Sequence, residues 1–197
     1  MVHNNQLSYH YRAKKKWGQH FLVDTAVISN IIRHINPRLS EHLVEIGPGT
    51  GAITQLLVDK CASFTAIEVD QELAEALNKK YAAQEQVTIH NADILQFDLA
   101  SLLDEHAKVR IIGNLPYNIG SQIIMHLVSY RTHIQDMIFM LQKEVVASLV
   151  AQPGIKAYSR LSVMAQYHYK TVKLFDIAPN AFTPAPAIVS SMLKLTP

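Results

Sequence analysis

Hydrophobic and polar positions follow two periods along this chain. Val27, Ile28, Ile31, Ile32 and Ile35 recur at helical spacing, which predicts a helix with one apolar face. Asp24 or Thr25 can cap its start, and Pro37 closes it. Short apolar runs bounded by turn residues predict buried strands instead. Four of these are Leu43-Val44-Glu45-Ile46, Phe64-Thr65-Ala66-Ile67-Glu68-Val69, Val87-Thr88-Ile89-His90 and Val109-Arg110-Ile111-Ile112. Helical patterns lie between them. One turns Ile53, Leu56 and Leu57 inward. The next is capped by Asp70, buries Leu73, Leu77 and Tyr81, and sets Glu75 and Lys79 as an i, i+4 ion pair. Further on, the pattern predicts a helix over 119–130, a strand over 137–141, a helix bearing Val145, Val146 and Leu149, and a loop at Gln152-Pro153-Gly154. Residues 159–166 follow a helical pattern and 167–177 an extended one. A proline-rich turn at 180–186 precedes a last strand over 188–195, with Val189, Leu193 and Leu195 on one face.

Strands alternating with helices predict an α/β fold, a largely parallel sheet with helices on both faces. The last two strands are separated by a turn and no helix, so they should form an antiparallel hairpin. Residues 17–22, Trp17-Gly18-Gln19-His20-Phe21-Leu22, are aromatic, glycine-broken and apolar, and should fold back onto the domain.

Composition narrows the class. At 197 residues with 49% hydrophobic and 17% charged content, the chain has material for one core and is too apolar for disorder. No apolar run approaches the ~18 residues that span a bilayer, and residues 1–16 lack the apolar region of a signal peptide. The single cysteine, Cys61, rules out an internal disulfide framework and fits the reducing cytoplasm. Ten histidines are present, but they fall in different elements without Cys or carboxylate at ligand spacing, so no metal site is expected. The net charge is only +2. Arg12, Lys14, Lys15 and Lys16 nevertheless cluster in what should be a flexible basic arm over 1–16. They are candidate contacts to phosphates, which the resemblance given below implies are those of RNA. The domain proper should then run over 17–197.

Candidate chemistry gathers at the ends of the predicted strands, where ligands bind in open α/β sheets. Gly47-Pro48-Gly49-Thr50-Gly51 follows the first strand and opens a helix. Its glycines let ligand atoms approach the backbone, and Gly47, Gly49 and Ala52 fit the dinucleotide pattern G-x-G-x-x-G/A. Glu68, at the end of the second strand, can accept hydrogen bonds from ribose hydroxyls. These positions suit a nicotinamide dinucleotide and S-adenosylmethionine alike. Three features tip the choice to S-adenosylmethionine. Asp93-Ile94 after the third strand can bracket an adenine. The terminal hairpin suits a methyltransferase. Asn114-Leu115-Pro116-Tyr117, on the loop after the fourth strand, suits methylation of an amino group.

The reason lies in the amine. The exocyclic nitrogen of adenine is a poor nucleophile, because its lone pair is delocalised into the ring. Two acceptors aimed at its hydrogens would localise that pair and aim it. The Asn114 side-chain oxygen and the carbonyl of Leu115 or Pro116 can supply them. Pro116 also removes a competing N–H, and Tyr117 offers a face on which a flipped-out base can stack.

Five segments carry a resemblance. They are Lys16 with Trp17-Gly18-Gln19-His20-Phe21-Leu22, Glu45-Ile46 with the glycine loop, Asn114-Leu115-Pro116-Tyr117-Asn118, Phe139-Met140-Leu141-Gln142-Lys143-Glu144-Val145, and Phe182-Thr183-Pro184-Ala185-Pro186. In this order they resemble the small-subunit (16S) ribosomal RNA adenine dimethyltransferases, from about residue 12 to the end. The resemblance implies a Rossmann-like, class I S-adenosylmethionine-dependent methyltransferase fold, with a seven-stranded sheet and an antiparallel terminal pair. It implies dimethylation at N6 of two adjacent adenosines near the 3′ end of small-subunit rRNA, within a 30S assembly intermediate, by a cytoplasmic monomer. His20, Leu22, Gly47, Glu68, Asp93 and Asn114 would line the cofactor site, beside Gly49, Val69 and Ile94. Tyr117 and Phe182 would sandwich the target base. It also implies a small helical domain beyond the last strand, which this sequence lacks, and glycine where Ser159 stands. A large-subunit rRNA adenine methylase is the neighbouring reading, disfavoured by the segments at 18–21 and 182–186. An assembly factor whose methylation is incidental would share the same motifs.

Overall fold

A computed structural model of the chain describes Tyr11, Ala13, Lys14, residues 17–102 and residues 108–197. Nine strands and six α-helices follow in chain order: β1 (Phe21–Leu22), α1 (Thr25–Ile35), β2 (His42–Ile46), α2 (Thr54–Leu57), β3 (Ser63–Glu68), α3 (Gln71–Tyr81), β4 (Val87–Asn91), β5 (Val109–Asn114), α4 (Gly120–His126), β6 (Ile134–Gln142), α5 (Lys143–Leu149), α6 (Arg160–His168), β7 (Lys170–Ile177), β8 (Phe182–Thr183) and β9 (Ser190–Thr196).

Seven strands form one sheet in the order β4-β3-β2-β5-β6-β9-β7. The first five are parallel, and β9 runs antiparallel to both β6 and β7. The chain builds outward from β2 through β3 to β4, then returns to lay β5 on the other side of β2. That reversal opens a crevice at the carboxyl ends of β2 and β5, the place where α/β sheets hold ligands. In register, Ile46 pairs with Ile67 on one side and Gly113 on the other.

The central strands β2, β5 and β6 are buried along nearly their whole length because both faces are covered. Leu43, Phe64, Ala66, Ile112 and Met140 point into one layer, filled by Ile28, Ile31 and Ile35 of α1 and Leu77 of α3. Val44, Ile46, Ile111, Phe139 and Leu141 point into the other, against Ile123 and Ile124 of α4, Val146 of α5 and Ala165 of α6. The period-2 alternation of β2, β5 and β6 thus divides two cores rather than a core and solvent.

Several elements differ from the sequence pattern. The helix after the glycine loop is a single α turn followed by a 3-10 turn over Val58–Lys60. Its inward stripe is Ile53, Thr54, Leu57 and Val58, so Leu56 is 37% exposed. Glu75 accepts from the Gln71 side-chain amide at 2.8 Å, one turn back, rather than pairing with Lys79. The helix expected over 119–130 is α only through His126, and a 3-10 stretch continues over Leu127–His133. Asn114 is the last residue of β5, not of the following loop.

The terminal pair β7 and β9 is antiparallel as expected, but no tight turn joins it. Between them lie a 3-10 turn (Pro179–Ala181), a cis Thr183–Pro184 bond and β8. β8 pairs antiparallel with β1, matching Phe21 to Thr183 and Leu22 to Phe182. The 17–22 segment does fold back, and this two-stranded sheet holds it there.

The described part of the expected flexible arm is anchored. The Tyr11 hydroxyl donates to Asp70 Oδ2 at 2.6 Å, and its ring meets Phe21 edge-on.

Candidate active site

Most of the candidate cofactor and acceptor residues meet in the crevice at the switch point. Its wall includes Trp17 to Leu22 from the folded-back segment, Glu45, residues 47–50 of the glycine loop, Glu68 and Val69 at the end of β3, and Asn114 to Tyr117 at the end of β5. An adjoining slot is lined by Trp17, Gly47, Val69, Asp93, Ile94, Pro116 and Ile119, among others. His20, Leu22, Gly47, Gly49, Glu68, Val69, Asp93, Ile94 and Asn114 therefore border two continuous spaces. Trp17, which the sequence patterns did not single out as a site residue, belongs to both. Its signal was available: the chain's single tryptophan stands next to a glycine in an aromatic segment.

The glycine loop is shaped by its backbone. Gly47 and Gly49 have φ of 67° and 59°, the left-handed region that favours glycine. A Cβ on Gly49 would also stand 3.1 Å from the Phe21 ring. Gly49 N donates to Glu68 Oε2 at 3.0 Å, and Asp70 N donates to Glu68 Oε1 at 2.9 Å. Glu68 thus links the loop to the start of α3. Burial raises its pKa, against the bonds from these backbone amides.

Glu45 lies beneath the loop, only 2% exposed. Thr54 Oγ1 donates to its Oε2 at 2.6 Å. Burial, opposed by that bond and reinforced by the nearby Glu68, pushes its carboxyl up to about 7. The strand pattern had placed Glu45 in a buried run without marking it as a site residue. Asp93 also closes a turn, its Oδ1 accepting from Leu95 N at 2.9 Å.

Asn114 is oriented from far along the chain. Its Nδ2 donates to the His20 carbonyl at 3.0 Å, which leaves Oδ1 as its acceptor. The Pro116 carbonyl already accepts from Ile119 N at 3.2 Å and Gly120 N at 3.0 Å. Of the two carbonyls open to the role of second acceptor, Leu115 is the one not engaged in that turn.

Tyr117 is held at both its ring and its hydroxyl. The ring stacks with His20 at 5.6 Å and 25°, and the hydroxyl shares a 2.7 Å hydrogen bond with Ser190 Oγ. Burial raises the Tyr117 pKa, and the Ser190 bond opposes it. The His20 imidazole is itself fixed, with Nδ1 2.8 Å from the Pro184 carbonyl.

Two residues expected at the site have partners within the fold. Phe182, expected as the second face of a base sandwich, is 3% exposed and packed in the core beside Leu22. Pairing of β8 with β1 turns its ring inward, and the ring against Tyr117 is that of His20. Lys14, expected to reach RNA, lies 3.0 Å from both Asp70 and Glu72. Its pKa is raised by those two bonds. Arg12, Lys15 and Lys16 lie outside the described residues. Among the described residues, no group of three His, Cys, Asp or Glu side chains could hold a metal ion, and no helix is long and apolar enough to cross a membrane.

Comparison with known proteins places this geometry. Residues 10–197 match the family of ribosomal RNA adenine dimethylases. The ribosomal RNA small subunit methyltransferase A of Hahella chejuensis is 47% identical over 195 residues, covering 99% of this chain and 71% of the relative. A solved dimethyladenosine transferase from Plasmodium falciparum superimposes with a TM-score of 0.80 at 25% identity, covering 90% of this chain and 63% of that one. The 23S rRNA methyltransferase ErmE does so with a TM-score of 0.77 at 26% identity, covering 89% and 69%. The fold is that of class I S-adenosylmethionine-dependent methyltransferases.

Proposed function

This chain belongs to the ribosomal RNA adenine dimethylase family, and on that premise we propose that it dimethylates N6 of two adjacent adenosines near the 3′ end of small-subunit rRNA. The observation that carries the reading is the pair of acceptors at the mouth of the crevice, Asn114 Oδ1 and the Leu115 carbonyl, with Tyr117 beside them. They suit an NH₂ group on a stacked base.

The crevice fits S-adenosylmethionine by its chemistry. The glycine loop admits close approach, Glu68 accepts from ribose hydroxyls, and the slot at Val69, Asp93 and Ile94 offers apolar walls and a carboxylate for an adenine. When bound, S-adenosylmethionine supplies a methyl group activated by its sulfonium. The chain's own residues then orient. Asn114 and Leu115 draw the two N6 hydrogens and direct the lone pair. Tyr117 holds the base plane. No general base must act first, because the amine sheds its proton after the N–C bond forms. Most of the rate enhancement then comes from positioning and fixed dipoles. The first transfer leaves one N–H, so the second round needs only one acceptor and the other must tolerate a methyl group.

The substrate in this reading is RNA within a 30S assembly intermediate, met by a monomer in the cytoplasm. The test supplies methyl-labelled S-adenosylmethionine with unmodified small subunits, then digests the rRNA to nucleosides. The expected product is labelled N6,N6-dimethyladenosine at adjacent positions. Label on large-subunit rRNA instead, or none on adenine, overturns the reading.

A further inference from the structure

The segment Tyr158-Ser159-Arg160-Leu161-Ser162 plays no part in the crevice. It begins α6, whose inner face is firmly anchored. Ser162 Oγ donates to the Ser148 carbonyl at 2.6 Å and accepts from Ser159 N at 2.9 Å. Gln166 Nε2 donates to the carbonyls of Leu149 and Ala151 at 3.0 and 2.8 Å. The outer face is therefore held in a defined orientation. It carries Arg160, Val163, Met164 and Tyr167 at i, i+3, i+4 and i+7, all exposed, and Tyr167 is 83% exposed. A tyrosine fixed on a helix with its ring in water has a π-face available for a base.

Charge separates this face from its surroundings. No Asp or Glu occurs from residue 145 to 175. Within that span Lys156, Arg160 and Lys170 are exposed, and none has an ion-pair partner among the described residues. The neighbouring lysines behave otherwise. Lys143 and Lys173 lie within 2.9 and 2.7 Å of Asp176, and Lys194 within 2.8 Å of Asp136. Lys14, from the segment expected to reach RNA, is likewise paired. Unpaired cations flanking an exposed aromatic side chain complement a polyanion with stackable bases.

We propose that the outer face of α6, with Lys156 before it and Lys170 after it, docks the RNA of the small subunit, Arg160 and the two lysines meeting phosphates and Tyr167 meeting an unpaired base. This rests on the methyltransferase reading and adds a second RNA contact, separate from the crevice.

The test compares the chain with a K156Q/R160Q/K170Q variant and with Tyr167→Ala, using unmodified small subunits across a KCl series. Far-ultraviolet circular dichroism and S-adenosylmethionine binding should match between all three, since no altered residue lines the crevice. The triple variant should raise the KM for subunits about tenfold or more with kcat unchanged. It should also reduce the slope of log affinity against log salt by about two to three, one contact's worth per removed charge. Tyr167→Ala should weaken subunit binding about tenfold, the loss of one stacked base. An unchanged salt slope with normal methylation overturns the docking surface and leaves the enzyme reading standing. A change in oligomeric state on Tyr167→Ala, with RNA affinity intact, assigns the face to a protein contact and also overturns it. Absence of adenine methylation by the unaltered chain sinks the underlying function instead.

Discussion

Strand β5 carries a charge near one end and a carboxamide at the other, and the two ends are built on opposite rules. Near its start, Arg110 is 5% exposed and Asp136 on the adjacent β6 is equally buried. Arg110 Nε and Nη2 donate to the two oxygens of Asp136 at 2.7 and 3.1 Å. Its Nη1 donates to Glu41 Oε2 at 2.8 Å, and Lys194 reaches Asp136 Oδ2 at 2.8 Å. Burial opposes both charges. The bonds outweigh it, holding Arg110 above its usual pKa and Asp136 below. At the far end, Asn114 spends its donor on the His20 carbonyl and keeps an acceptor open to the crevice, while Glu45 is buried with one hydroxyl partner. The closed end is saturated and can only hold the fold. The open end leaves polar capacity unspent, which is what a ligand site requires.

The largest expected effect comes from breaking the closed end. Arg110→Ala leaves buried Asp136 with Lys194 as its remaining cation and takes a partner from Glu41, and should cost about 3–5 kcal/mol in urea unfolding. Methyl transfer per folded molecule should be unchanged, because no group in the crevice is touched. A loss of under ~1 kcal/mol would mean that water reaches the cluster.

Asn114→Ala makes the reciprocal change at the other end of the strand. Transfer should fall about a hundred- to a thousandfold, as when one preorganised polar group is removed from a reacting centre, with the urea midpoint nearly unmoved. Rates within threefold of the unaltered chain would remove Asn114 from the chemistry. The same variant separates a catalyst from an assembly factor, since subunit binding should persist.

A smaller effect sharpens the contrast through pH. In the unfolded chain Glu45 ionises in the ordinary glutamate range, near pH 4. In the folded chain it holds its proton up to about 7. The folded state binds the extra proton between those values, so this contribution is full below pH 4 and is lost as pH rises through 7. It amounts to roughly 3 kcal/mol for a shift of this size. Glu45→Gln should flatten the stability profile between pH 5 and 8. It should not abolish the slope, because Glu68 is shifted in the same direction. A profile identical to that of the unaltered chain would show Glu45 to be ionised throughout.

Much of the architecture was legible because it is local. The spacing of Ile28, Ile31 and Ile35, the cap at Asp24 and the apolar runs at 43–46 and 109–112 express period and burial within a few residues. The glycine loop, Glu68, Asp93 and Asn114 were legible because each sits at a strand end, and strand ends in a parallel sheet share one edge. Trp17 and Glu45 were missed as site residues. One entered the crevice through the β1–β8 pairing, and the other looked like an interruption in a buried strand.

Sequence alone determined the order of the main strands and helices, the strand ends where a site would lie and most of the groups along it, since these follow from patterns spanning a few residues. Only the tertiary structure decided how those groups spend their bonds. It gave Asn114 to the His20 carbonyl, Tyr117 to Ser190, Lys14 to Asp70, and the Phe182 ring to the core. Each of these partners lies more than fifty residues away or is set by a strand pairing. A donor chooses among acceptors by distance and angle in space, and periodicity along the chain carries no record of that choice.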